Sequence, residues 1–186
     1  FYRDLAVGTA PDGAEAWGEA EALMAGVTIG APPDPLGPEG QNWNLPPLDP
    51  LAMARDGYRS YGRLLAANMR HAGALRIDHV MGLRRLFLLP EGASAAEGAY
   101  LAYPYADLAG QVALESRRAR CLVVGEDLGT VPEGMRAELD RERMLSYKVL
   151  WFERQGEDFA PPEQYPSPAA GCDSTHAPPR LPGWGG

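Results

Sequence analysis

An α/β fold built around a parallel sheet is what this sequence predicts, and three observations carry the prediction. Short apolar, β-prone runs alternate with segments of helical periodicity along the 186 residues. Charged residues stand directly after several of those runs: Arg76 and Asp78 after Ala74-Leu75, Glu126 and Asp127 after Val123-Val124-Gly125, and His176 further on. Reactive groups gather at the carboxyl ends of parallel strands, in doubly wound sheets and in (β/α)8 TIM barrels alike. Third, no GxGxxG follows a strand and no GxxxxGK[ST] occurs, so the usual marks of a nucleotide-binding doubly wound sheet are missing. The barrel is therefore the better reading.

The elements follow in order. Asp4-Leu5-Ala6-Val7-Gly8 reads as the end of a first strand. Residues 9–54 form a long Pro- and Gly-rich excursion, with a short helix expected over Glu15–Ala25. A connector of that length favours a functional insertion. Asp56 is placed to cap a helix that carries Tyr58, Tyr61, Leu65 and Met69 at helical spacing and ends at Gly73. Ala74–Asp78 is a short strand, and Arg85–Leu89 is extended and stops at Pro90. Asp107–Arg118 reads as a helix with Leu108 and Val112 inward, and Cys121–Gly125 as a continuously apolar, buried strand. Pro132 opens another helix at the favoured first position, with Met135 and Leu139 on one face. Ser146–Phe152 is strand-like, and Asp173–His176 ends a further strand.

Composition narrows the function. The formal net charge of −8 argues against a nucleic-acid footprint and suits a neutral or small-molecule substrate. No apolar run reaches the roughly 18 residues of a membrane helix, and FYRDLAVG lacks the basic and apolar regions of a signal peptide. Cys121 and Cys172 show neither CxxC spacing nor a disulfide framework, which fits a reduced, cytoplasmic chain.

Two carboxylates at the ends of neighbouring strands suit glycosidic-bond chemistry, in which one attacks or shields a cationic sugar carbon and the other protonates the leaving oxygen. Asp78 and Glu126 are the candidates; carboxylates beside Arg or His also serve as plain ion pairs. Asp78, His79, Glu126 and His176 could ligate a metal only as a spatial cluster, and contiguous ligand motifs are missing. No metal or cofactor is expected. The stretch Gly30–Pro50 combines Trp43, the amides of Gln41 and Asn42, and Asp34 on a proline-stiffened backbone. Flat apolar faces and planar polar groups are what a sugar needs, although Trp43 as a packing anchor explains the same residues.

Five blocks then become specific. ALRIDHVMGLRRL at 74–86 resembles the nucleophile strand of the amylomaltases, glycoside hydrolase family 77, and GEDLGTVP at 125–132 is similar to that family's acid/base strand. YRDLAVG at 2–8, the run from Gly30 through Trp43 and STH at 174–176 resemble further family blocks, in the family's order. The resemblance implies a 4-α-glucanotransferase acting on α-1,4-glucans and maltooligosaccharides with retention. It implies Asp78 as nucleophile, Glu126 as acid/base, and Arg76 as the cation orienting Asp78. His79 and His176 would bind sugar hydroxyls, and Asp4 would support the core. Trp43, Gln41 and Asp34 would belong to a loop covering the acceptor side. An α-amylase-clan hydrolase and a non-catalytic glucan-binding remnant are the alternatives.

The resemblance breaks at one position. The family block reads THD where this chain has Thr175-His176-Ala177, so a third carboxylate is missing. A complete barrel takes about 250 residues. The chain is accordingly expected to be a partial barrel, about strands 3–7, with 9–54 as its substrate-covering insertion.

Overall fold

Strand–helix alternation does produce a parallel sheet, but the chain also builds a second sheet that its sequence pattern conceals. The computed structural model describes residues 1–34, 37–150, 153–155, 158–164 and 169–172. In order, the elements are β1 (Tyr2–Leu5), α1 (Ala14–Gly18), β2 (Val27–Ala31), β3 (Gln41–Leu45), α2 (Pro50–Arg55), α3 (Arg59–Met69), β4 (Ala74–Ile77), β5 (Arg85–Pro90), β6 (Ala99–Ala102), α4 (Tyr105–Ala119), β7 (Leu122–Gly125), α5 (Met135–Arg141), β8 (Leu145–Val149), β9 (Arg154–Gln155), β10 (Asp158–Phe159) and β11 (Ala169–Cys172). Among the described residues β9 and β10 form a separate antiparallel pair.

The main sheet runs β1-β4-β7-β8-β11, with each of its neighbouring pairs parallel. Its two faces differ because side chains alternate along a strand. Leu5, Leu75, Ile77 and Val123 join Tyr61, Leu65, Met69, Leu108, Val112 and Leu139 of the helices in one large core cluster. The opposite face carries Asp4, Arg76, Val124 and Tyr147. The second sheet, β3-β2-β5-β6, is antiparallel. Gly30 makes its close packing possible, since a Cβ there would collide with the Gln41 carbonyl and with Leu89. The Thr28 hydroxyl donates to Asn42 Oδ1 at 2.9 Å across the β2–β3 pair.

Several expectations change. The excursion is not a plain loop: it contains β2, β3 and α2, which Asp49 caps by accepting from the Leu51 amide at 2.8 Å with Pro50 in the first turn. The helix expected over Glu15–Ala25 is two short pieces, α1 and a 3-10 turn at Ala20–Ala22, with no side-chain cap on either. Asp56 does hold the start of α3, accepting from the amides of Arg59 at 3.0 Å and Ser60 at 2.8 Å. The formal cap is Tyr58, with φ of 59°. Pro132 does not open a helix; α5 starts at Met135 behind Gly134, whose φ of 80° breaks the run. Leu122, expected to be buried, is 63% exposed at the amino end of β7. The strand expected over Asp173–His176 lies outside the described residues.

Candidate functional site

Register brings the charged groups together. In the β1–β4 pair Asp4 stands opposite Arg76, and in the β4–β7 pair Ile77 stands opposite Gly125. Asp78 and Glu126 therefore each follow the last paired residue of adjacent strands. Arg76, 9% exposed, bridges the group. Its Nη1 donates to both oxygens of Asp4 at 2.7 and 2.9 Å, and its Nη2 lies 2.6 Å from Asp78 Oδ1. The two carboxylates raise the guanidinium's proton affinity against the opposing pull of burial. A fixed cation between two carboxylates keeps both side chains aimed at one place.

Glu126 is held differently. Its Oε2 accepts from the His79 amide at 2.9 Å and its Oε1 from the Leu128 amide at 3.1 Å. The backbone knits the same two strand ends, with Glu126 N donating to the Ile77 carbonyl and Val80 N to the Glu126 carbonyl. Burial raises the Glu126 carboxyl above its ordinary range and the nearby Asp78 adds to this, while the two amides and Arg76 act the other way. A carboxyl that holds its proton more tightly, beside one paired with a fixed cation, is the arrangement that an acid next to a base or nucleophile needs.

His79 turns the chain after Asp78 with φ of 48°, which points its amide at Glu126. Burial lowers its imidazole below the ordinary value, with Asp78 opposing and Arg85 assisting. The Trp43 ring meets the His79 ring edge-on, centroids 5.3 Å apart, and Trp43 Nε1 donates to Gln41 Oε1 at 2.8 Å. The excursion thus delivers Trp43 and Gln41 to the site. A cavity of about 490 Å³ adjoins Asp4, Asp78 and His79 and continues between apolar walls that include Leu5, Tyr61 and Leu86.

Of the residues that the sequence marks, Asp4, Arg76, Asp78, His79, Glu126, Trp43 and Gln41 are thus linked by direct contacts or strand register. Asp34 lies in the turn after β2, where its Oδ1 accepts from the Gly37 amide at 2.6 Å. His176 and Ala177 lie outside the described residues. Two residues were not singled out as site residues. Asp127, 1% exposed, accepts from Arg136 Nε at 2.8 Å and from the Tyr147 amide at 3.1 Å, fixing the end of β7 to β8. The Tyr147 ring lies 5.1 Å from the Arg76 guanidinium carbon. Alternation along Ser146–Phe152 would have put Tyr147 and Val149 on one face; nothing in the sequence says that this face meets Arg76. Among the described residues no group of three or more His, Cys, Asp or Glu is arranged to hold a metal ion, and no helix is long and apolar enough to cross a membrane.

The sequence profile of glycoside hydrolase family 77, described as 4-alpha-glucanotransferase, matches residues 1–185. The 4-alpha-glucanotransferase of Haemophilus influenzae is 46% identical over 181 residues, covering 97% of this chain and 26% of that protein. That of Mycobacterium tuberculosis (strain H37Rv) is 48% identical over 158 residues, covering 85% and 22%. The crystal structure of amylomaltase from Corynebacterium glutamicum matches with a TM-score of 0.87 at 38% identity, over 94% of this chain and 25% of that one. Amylomaltase from Streptococcus agalactiae, in complex with acarbose, shares the fold at a TM-score of 0.81 and 18% identity, over 94% and 37%. The chain spans only about a quarter of the length of the curated relatives named here.

Proposed function

The chain belongs to the 4-alpha-glucanotransferase family, and from that premise we propose that it is the central part, about strands 3–7, of a (β/α)8 barrel catalytic domain that moves α-1,4-glucan segments between maltooligosaccharides. The observation that carries the proposal is the pairing of unlike carboxyls: Asp78 on the Arg76 cation, and Glu126 buried with its proton affinity raised.

In the first half-reaction an Asp78 oxygen attacks the anomeric carbon. The bond from that carbon to the glycosidic oxygen breaks, and Glu126 gives its proton to the departing oxygen. In the second half the acceptor's 4-hydroxyl loses its proton to Glu126 and displaces Asp78 from the same carbon. Two inversions restore the α-configuration. Neutral His79 offers one donor and one acceptor for sugar hydroxyls, and His176 is assigned the same task. Trp43 and Gln41 supply an apolar face and an amide on the acceptor side, with residues 9–54 as the covering insertion and Asp34 as a further polar contact. A covered intermediate that meets a bound sugar before water gives transfer over hydrolysis. With both cysteines free, a cytoplasmic setting completes the reading.

Ala177 supports a second reading, a glucan-binding remnant that lacks the family's third carboxylate. Product analysis of the full-length protein on maltotriose separates the possibilities. Redistribution to glucose and longer chains supports transfer, net gain of reducing ends supports an α-amylase-like hydrolase, and oligosaccharide binding without turnover supports the remnant.

A further inference from the structure

Arg76 reaches its two carboxylates through Nη1 and Nη2, yet its buried Nε has no hydrogen-bond partner among the described residues. A guanidinium drawn from its outer nitrogens by two acids on different strands needs support across its plane, or it swings toward one of them. A third hydrogen-bond acceptor could take only the Nε donor at the guanidinium's edge, within its plane. An aromatic face attracts the cation without taking any donor.

Such a face is present. Tyr147 of β8 is 9% exposed, and its ring lies 5.1 Å from the Arg76 guanidinium carbon, reached across the intervening strand β7. The ring has little freedom to leave. Its own backbone amide is tied to Asp127, which Arg136 in turn grips. Burial first, and Cys172 second, raise the phenol above its ordinary value, so the ring stays neutral beside the cation.

We propose that Tyr147 is a positioning residue for the transfer reaction: the face of its ring, not its hydroxyl, holds the Arg76 guanidinium where it serves Asp4 and Asp78 together. The inference rests on the reading of Asp78 as nucleophile. It assigns β8, which contributes none of the carboxyls, a part in setting the nucleophile's geometry.

The test is steady-state transfer on maltotriose by the full-length protein, with each variant's melting temperature checked. Tyr147→Phe keeps the ring and should stay within about twofold of wild-type kcat. Tyr147→Leu should lose about tenfold in kcat with KM little changed, as expected for a desolvated cation–π contact acting on the nucleophile. In an Arg76→Lys background the same Tyr147→Leu change should cost less than about twofold, because the planar group it supported is gone. If Tyr147→Leu does not fold, Tyr147→Met, unbranched and also without a ring, is compared with Tyr147→Phe instead and carries the same tenfold expectation. Equal losses in the Phe and Leu variants, wild-type kcat in the Leu variant, or a full Leu penalty in the Arg76→Lys background would each overturn the proposal. Asp78→Asn separates this from the premise: if it is inert while Tyr147→Leu is unimpaired, only the positioning role falls, whereas an active Asp78→Asn removes the nucleophile assignment itself.

Discussion

The parallel sheet reaches the site with charges, Asp4, Arg76, Asp78 and Glu126 on three successive strands, whereas the antiparallel sheet reaches it with the neutral side chains of Trp43 and Gln41 on β3. Strands that all run one way deliver their last residues to one edge, and register then decides which charges meet. A hairpin brings its strands back on themselves, so it covers a place without concentrating charge there. The rigid sheet is therefore expected to govern the rate of the chemistry, and the hairpin the occupancy of the site.

The largest effect should come from Asp78→Asn in the full-length protein, with kcat falling by about 10⁴-fold and glucan affinity nearly kept. Near-normal transfer by the purified variant would erase the contrast between the sheets. Glu126→Gln should cost about 10²- to 10⁴-fold on natural glucans and far less on donors with activated leaving groups. Equal losses on both donors would remove Glu126 as the acid. Asp127→Asn probes the parallel sheet away from the reacting atoms. It weakens a charge-assisted bond to Arg136 and should lower unfolding stability by about 2 kcal/mol in denaturant titration, since Asp127 is buried but Arg136 is largely exposed. Trp43→Ala should raise KM about three- to tenfold with kcat within about twofold. A kcat loss as large as that of the carboxyl variants would give the hairpin a share in the chemistry.

The smallest effect is a matter of sign. A carboxyl whose proton affinity is raised by folding favours the folded state at low pH, and that contribution is lost as pH rises from the ordinary carboxyl range through the raised folded value. Relative to Glu126→Gln, which does not titrate, the wild-type chain should therefore gain unfolding stability as pH falls from about 7 toward about 4. A difference that runs the other way in urea titrations would mean that the two amides outweigh burial.

The parallel sheet was far more legible in the sequence than the antiparallel one. Apolar runs such as Cys121–Gly125 point to β7, observed over Leu122–Gly125, and the charges directly after such runs mark Asp78 and Glu126. The β2–β3 hairpin left little trace: β3 reads Gln-Asn-Trp-Asn-Leu, with only Trp43 and Leu45 apolar among three amides, and β2 contains Gly30 for a close approach that only the folded pair explains. Helix α2, of 6 residues, is too short for periodicity to register. The Asp4–Arg76 pairing spans 72 positions and the Tyr147 contact crosses a strand. Both are products of register, which no local pattern encodes.

Glu126 accepts one amide proton on each of its two oxygens, and this has a directional consequence. A carboxyl offers about four lone-pair sites, so two are occupied by the backbone amides and two remain. If Glu126 is the acid proposed above, its proton would leave along one of those free directions. On that assignment the aim of proton delivery would be set by the peptide planes at His79 and Leu128 as well as by the rotamer of the side chain. A change that preserved Glu126 but turned either plane would keep the acid and misdirect its proton.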